Sequence, residues 1–178
     1  MAKHIVRINR APVLTLWGAV VSARMGFTWD EALTLGKAAA GLNAQAKGRR
    51  LGIFHRPPGR GAEGKEARRV GLGEEFWVEV CGRPVPAKNT DEGVRAVVKD
   101  KAIDPQSVAR YLRDKFGEDL DAAREAMEAL AESLPPEDLA REAFALYERF
   151  RPKIAAGERG WGQKGDLDLD LIRSLAKR

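Results

Sequence analysis

The chain has 178 residues, 44% of them hydrophobic and 32% charged, with a net charge of +5, which suits one globular domain or one domain with a smaller appendage. No apolar run approaches the ~20 residues of a membrane span, and the start, Met1-Ala2-Lys3-His4, lacks a signal-peptide core, so a cytoplasmic protein with no membrane partner is expected. Cys81 is the only cysteine, which excludes an intrachain disulfide and a cysteine-based zinc site.

Charge is unevenly spread. Residues 1–70 carry 13 Lys and Arg against 4 Asp and Glu, whereas residues 71–178 carry 18 against 22. A basic half of this kind points to a polyanionic partner, or else to attraction between the two halves inside one fold or across a dimer.

In chain order, residues 1–10 alternate Lys3, His4, Arg7 and Arg10 with Ile5, Val6 and Ile8, a pattern that fits a short strand or a basic arm. Pro12 suits the first turn of a helix that continues through Leu14, Leu16, Trp17, Val20, Val21 and Met25, apolar on most of its circumference and therefore buried. Gly26 stops it. Thr28-Trp29-Asp30-Glu31 reads as a capping box opening a second helix that runs towards Lys47. That helix is rich in Ala and Gly, which suits close backbone approach to another helix, in the same chain or in a second copy.

The segment that follows is basic and rich in Gly and Pro. Gly59 to Lys65 matches the spacing of a phosphate loop, yet Glu66 stands where a magnesium-binding Ser or Thr belongs, and His55-Arg56-Pro57-Pro58 precedes it in place of a buried strand. An exposed loop is the expectation. Phe76, Val78 and Val80 then alternate with Trp77, Glu79 and Cys81 as a strand, with a turn at Gly82-Arg83 and a return through Pro84-Val85-Pro86 that the prolines restrict to an edge. Asp91 to Val98 is assigned to a short helix.

Three clean helices are expected next: one capped by Asp104-Pro105 and stopped at Gly117, one from Asp119 to about Ser133, and one from Glu137 to Phe150. Short connections suggest an antiparallel bundle. In Gly157 to Gly165, Trp161 with Lys164 can stack a base or fit a partner's pocket, or the tryptophan can plug the core. Asp166, Asp168 and Asp170 have calcium-loop spacing but lack its glycine and its final glutamate. They are read as residues crowding the N-terminus of a last helix.

The expected fold class is therefore mainly α: an N-terminal helix-turn-helix-like hairpin over 1–56, a basic loop over 57–69, a small β-hairpin over 70–103 and a C-terminal antiparallel helical bundle over 104–178. The stretches Arg10-Ala11-Pro12-Val13-Leu14-Thr15-Leu16-Trp17, Leu33-Thr34-Leu35-Gly36-Lys37 and Gly160-Trp161-Gly162-Gln163-Lys164-Gly165 resemble an uncharacterised bacterial protein family. The resemblance implies no activity, cofactor or catalytic residue.

The leading functional expectation is a nucleic-acid-binding protein, with DNA as partner and phosphate-backbone contacts through Arg7, Arg10, Lys37, Lys47, Arg49, Arg50, Arg56, Arg60, Lys65, Arg68 and Arg69. Major-groove reading is disfavoured, because the second helix begins with Trp29, Asp30 and Glu31. The alternative is a protein-interaction module or homodimer. No catalytic triad, metal-ligand cluster or cofactor loop is evident, so no enzyme, metal or cofactor is expected.

Overall fold

The structure is a computed structural model that describes residues 4–49, 71–153 and 164–176, with the backbone alone for 45–49. Strand β1 is Ile5–Asn9, followed by helices α1, Arg10–Arg24, and α2, Trp29–Arg49. Four strands come next: β2, Glu75–Val80; β3, Arg83–Thr90; β4, Gly93–Val98; and β5, Lys101–Ala102. Helices α3, Pro105–Phe116, α4, Leu120–Glu132, and α5, Pro136–Phe150, precede strand β6, Lys164–Asp168, and helix α6, Leu169–Ala176.

Helix α1 is the axis of the molecule. Every residue from Pro12 to Ser22 is buried, which its sequence demands, since apolar side chains occur on all sides of it. Trp17 is fully buried, meets Phe150 edge-to-face at 5.2 Å and donates its indole N–H to the Ala143 carbonyl at 2.8 Å. The chain turns back at Gly26, whose φ of 108° only glycine adopts readily. The capping box closes as expected: the Glu31 carboxylate accepts from the Thr28 N–H at 2.9 Å, and the Thr28 hydroxyl accepts from the Glu31 N–H at 3.3 Å.

As far as Ala40, the Ala/Gly face of α2 is packed inside the chain. A Cβ on Gly36 would stand 2.3 Å from the Thr15 carbonyl oxygen, and one on Gly18 would stand 2.9 Å from Gly36 Cα. The two backbones touch there. With only 25–28 joining them, the helices run antiparallel, and the start of α1 lies at the same end as the exit of α2.

The expectation of a mainly-α protein with one small hairpin is overturned. About 60% of the described residues are helical and 25% lie in strands, arranged as a two-stranded and a four-stranded antiparallel sheet. The larger sheet has the order β2-β3-β4-β5. Its third strand replaces the short helix expected at Asp91–Val98. Asp91 and Glu92 instead form a turn held by the Thr90 hydroxyl, which donates to the Gly93 carbonyl at 2.7 Å.

What keeps Gly93–Val98 extended is α2. The second oxygen of Glu31 accepts from the Val94 N–H at 2.8 Å, and the Thr34 hydroxyl accepts from the Ala96 N–H at 3.0 Å. Side chains one helical turn apart match N–H groups two strand residues apart, so helix side chains stand in for a neighbouring strand along this part of β4. Pro84 and Pro86 lie on β3, a strand with neighbours on both sides, contrary to the edge assignment. The local rule still holds, because β4 pairs only with Ala87–Thr90 and leaves that flank of the prolines open.

Strand β1 pairs antiparallel with β6, Ile5 opposite Asp168 and Asn9 opposite Lys164. This second sheet was not foreseen as such, because its halves are separated by nearly the whole chain. The three helices after residue 104 do form where expected, but they make no bundle of their own. Helices α3, α4 and α5 touch the α1–α2 hairpin more than they touch one another. One continuous core runs from Val6 to Leu175.

Nor does the hairpin present itself as a helix-turn-helix. All residues of α2 from Glu31 to Ala40 are buried except Lys37, so this part of the second helix has no open face to enter a groove.

Candidate nucleic-acid interface

The expected phosphate contacts divide into three groups. Arg50, Arg56, Arg60, Lys65, Arg68 and Arg69, together with Trp161 and the phosphate-loop look-alike at 59–65, lie outside the described residues. Lys47 and Arg49 belong to the last turns of α2. Arg7, Arg10, Lys37 and Lys164 have a described environment.

Pairing of β1 with β6 brings cations from the two ends of the chain together. Lys164 is exposed and stands opposite Asn9, one residue before Arg10. Arg7 reaches Asp166 at 2.9 Å, both side chains more than half exposed, an ion pair worth only about 0–1 kcal/mol and readily exchanged for a stronger anion. Arg10 donates its Nε–H to the Pro152 carbonyl at 3.0 Å. Burial holds its guanidinium below the ordinary arginine value, neighbouring Arg151 presses the same way, and Tyr147 opposes both. Arg151 and Lys153 were not singled out by sequence reading, since nothing local marks them; the fold alone sets them beside Arg10 and Asp166.

This basic corner lies at the end of the hairpin from which Lys47, Arg49 and the rest of the basic run depart. Arg83 links the same parts of the molecule. Its guanidinium donates to Asn43 of α2 at 2.9 Å and covers the Phe144 ring at 4.8 Å. Tyr147, beside Phe144, donates its hydroxyl to the Arg10 carbonyl at 3.4 Å. No protein family, curated protein or solved structure matches the chain. The arrangement is therefore interpreted from its own chemistry.

Lys37 is half-buried on α2, with its ammonium 3.7 Å from the centre of the Tyr111 ring of α3. Desolvation lowers its pKa and Lys115 lowers it further. Other cations are occupied structurally. Arg24 donates to the Leu134 carbonyl at 3.2 Å, and the Arg124 guanidinium lies 3.8 Å from the centre of the Trp29 ring.

The remaining chemistry is structural. The three aspartates of the calcium-like spacing do separate work: Asp166 pairs with Arg7, Asp168 accepts from the Leu171 N–H at 3.1 Å to cap α6, and Asp170 accepts from the His4 N–H at 3.0 Å. His4 is therefore tied into the fold, its ring 3.0 Å from Asp119. A shallow cavity of about 210 Å³ lies between Phe76, Pro86, Val97, Lys99 and neighbouring residues and holds none of the candidate cations. Among the described residues no cluster of His, Cys, Asp and Glu suited to a metal occurs, and no helix is long and apolar enough to cross a membrane.

Cys81 is buried, and desolvation raises its thiol pKa to about 12. Thiolate is the reactive form. The native protein at neutral pH is therefore expected to resist a thiol-specific disulfide reagent that labels the urea-unfolded chain within minutes. Labelling at equal rates in both states would contradict this burial.

Proposed function

We propose that the protein binds nucleic acid, DNA in the first instance, by gripping the phosphate backbone without reading sequence. The reading is carried by one observation: the basic corner of Arg10, Arg151, Lys153 and Lys164 lies at the same end of the α1–α2 hairpin as the exit of α2. The segment from residue 47 to 69, which leaves from that exit, contains eight Lys and Arg against two Glu. Cations near one another and without a carboxylate for each repel; a polyanion relieves that repulsion and releases its own counterions in doing so.

Backbone gripping, in preference to base reading, follows from the burial of α2 between Glu31 and Ala40. A helix buried at every one of these positions but Lys37 has no edge to offer base pairs. Binding is therefore expected to vary little with sequence and strongly with salt.

Fluorescence anisotropy of a labelled random-sequence duplex, titrated at about 50 and 200 mM salt, tests the reading. With six or more phosphate contacts, affinity falls by about 10³-fold or more across that range. The variant Arg49→Ala/Arg50→Ala/Arg68→Ala/Arg69→Ala should weaken binding to all duplexes alike and flatten the salt dependence by about one unit for each phosphate no longer neutralised. Absence of binding to both duplex and single strand at the lower salt would sink the proposal.

A further inference from the structure

The hydrocarbon stem of Lys37 and its ammonium are held between α2 and α3, where Tyr111 supplies the face of its ring. A cation over a tyrosine face gains about 0.5–2 kcal/mol, the larger figure when desolvated. Lys115 stands one turn beyond Tyr111 on α3, on the same face of that helix, and its charge also lowers the Lys37 pKa; among the described residues neither lysine has a carboxylate within ion-pair distance.

The two lysines are 78 residues apart in sequence and belong to different helices. Packing of α3 on α2 is what brings them together, and Tyr111 orients one of them. Arg7 and Arg141, by contrast, have carboxylate partners in Asp166 and Asp138. Lys37 is also the single break in the buried run of α2. An amine at that break, half-desolvated and beside a second amine, lacks only an anion.

We propose that Lys37, held over Tyr111, and Lys115, one helical turn further along α3, form a phosphate-binding site that takes a backbone phosphodiester of the nucleic acid. The proposal rests on the nucleic-acid reading above and extends the binding surface from the basic corner onto the α2–α3 side of the molecule. Lys37 contributes the oriented, partly desolvated charge, and Lys115 contributes the exposed one. Removing either leaves one amine to hold the phosphate.

The test measures the salt dependence of duplex binding for the full chain and for Lys37→Gln, Lys115→Gln, Lys37→Arg and Arg141→Gln. Each phosphate contact contributes a slope of about 0.9 in log K against log salt. The two lysines share one phosphate, so Lys37→Gln and Lys115→Gln are each expected to flatten the slope by about half that amount, and Lys37→Arg to keep most of it. Arg141→Gln, which removes an exposed charge from α5, should leave the slope unchanged. Lys115 is exposed, so its variant reports on the site even if Lys37→Gln were to unfold.

Wild-type slopes in both lysine variants, with binding intact, overturn the site and leave the basic-corner reading standing. Equal flattening by Arg141→Gln also overturns it, since the effect would then be one of net charge. A wild-type protein that binds no duplex overturns both proposals. Competition by inorganic phosphate separates a site for free phosphate from one for a backbone: the backbone site predicts that millimolar phosphate displaces duplex no better than chloride at equal ionic strength. Displacement by phosphate well beyond that of chloride overturns the backbone assignment.

Discussion

Replacing Gly36 by alanine is expected to destabilise the protein by about 3 kcal/mol, at the upper end of the range for overpacking. For a chain of this length that lowers the melting temperature by roughly 6–12 °C. The new Cβ would fall 2.3 Å from the Thr15 carbonyl oxygen and 2.6 Å from the Ala19 nitrogen. Both belong to the backbone of α1, so no rotamer change relieves the clash and the helices must separate. Alanine is the better helix former by about 1 kcal/mol, too little to offset that separation.

Gly41 supplies the internal control. It lies in the same helix, is exposed, and a Cβ there meets nothing within 4 Å. Gly41→Ala should therefore stabilise by about 0.5–1 kcal/mol. Opposite signs for two identical substitutions five residues apart are the outcome to look for in thermal or urea denaturation. A Gly36→Ala protein that melts at or above the wild-type temperature would show that the α1–α2 crossing is looser than these distances.

Glu31→Ala is expected to cost about the same. Its carboxylate accepts from the Thr28 N–H and, with its second oxygen, from the buried Val94 N–H. Loss of a capping partner costs about 1 kcal/mol, and a buried N–H left without an acceptor about 1–3 kcal/mol more. Glu31→Gln keeps one acceptor oxygen but turns an amide donor towards the other N–H, so it should lose roughly half as much. Thr34→Val removes the acceptor of the Ala96 N–H and should cost about 1–3 kcal/mol.

Amide hydrogen exchange locates the effect. Val94 should lose protection in the Glu31 variants and Ala96 in Thr34→Val, each well before global unfolding. Unchanged protection at both amides, with unchanged stability, would remove α2 as the element that holds β4. Because Glu31 and Thr34 grip one strand, their combined variant should cost less than the sum of the two.

Much of the helical content was legible locally. Thr28 and Glu31 cap α2 as a capping box, Asp104 accepts from the Gln106 N–H at 3.0 Å to start α3, and Gly117, at φ 58°, ends it. These signals act over three or four residues, the range in which backbone geometry and side-chain hydrogen bonds are decided. The strand at Gly93–Val98 was not legible. The acceptors that keep it extended, Glu31 and Thr34, are 63 and 62 residues away from the groups they bind.

The candidate interface divides in the same way. The sequence shows which cations exist and that carboxylates are scarce before residue 70, which leaves that half net positive, because charge is a property of composition. Arg7, Arg10, Lys37 and Lys164 could be named from it. Their neighbours could not. The Arg151 charge acts on Arg10, and the Lys115 charge on Lys37, only after the chain has closed β1 on β6 and packed α3 on α2.

By itself, then, the sequence determined the helix ends, the buried character of α1, the close-packing face of α2 and the charge asymmetry, all of them carried by residues a few positions apart or by simple counts. The tertiary structure decided whether Gly93–Val98 became helix or strand, which helix each C-terminal helix packed against, and which cations came to stand together. Those outcomes depend on interactions between residues far apart in the chain, whose energies exceed the small local preferences for helix or strand.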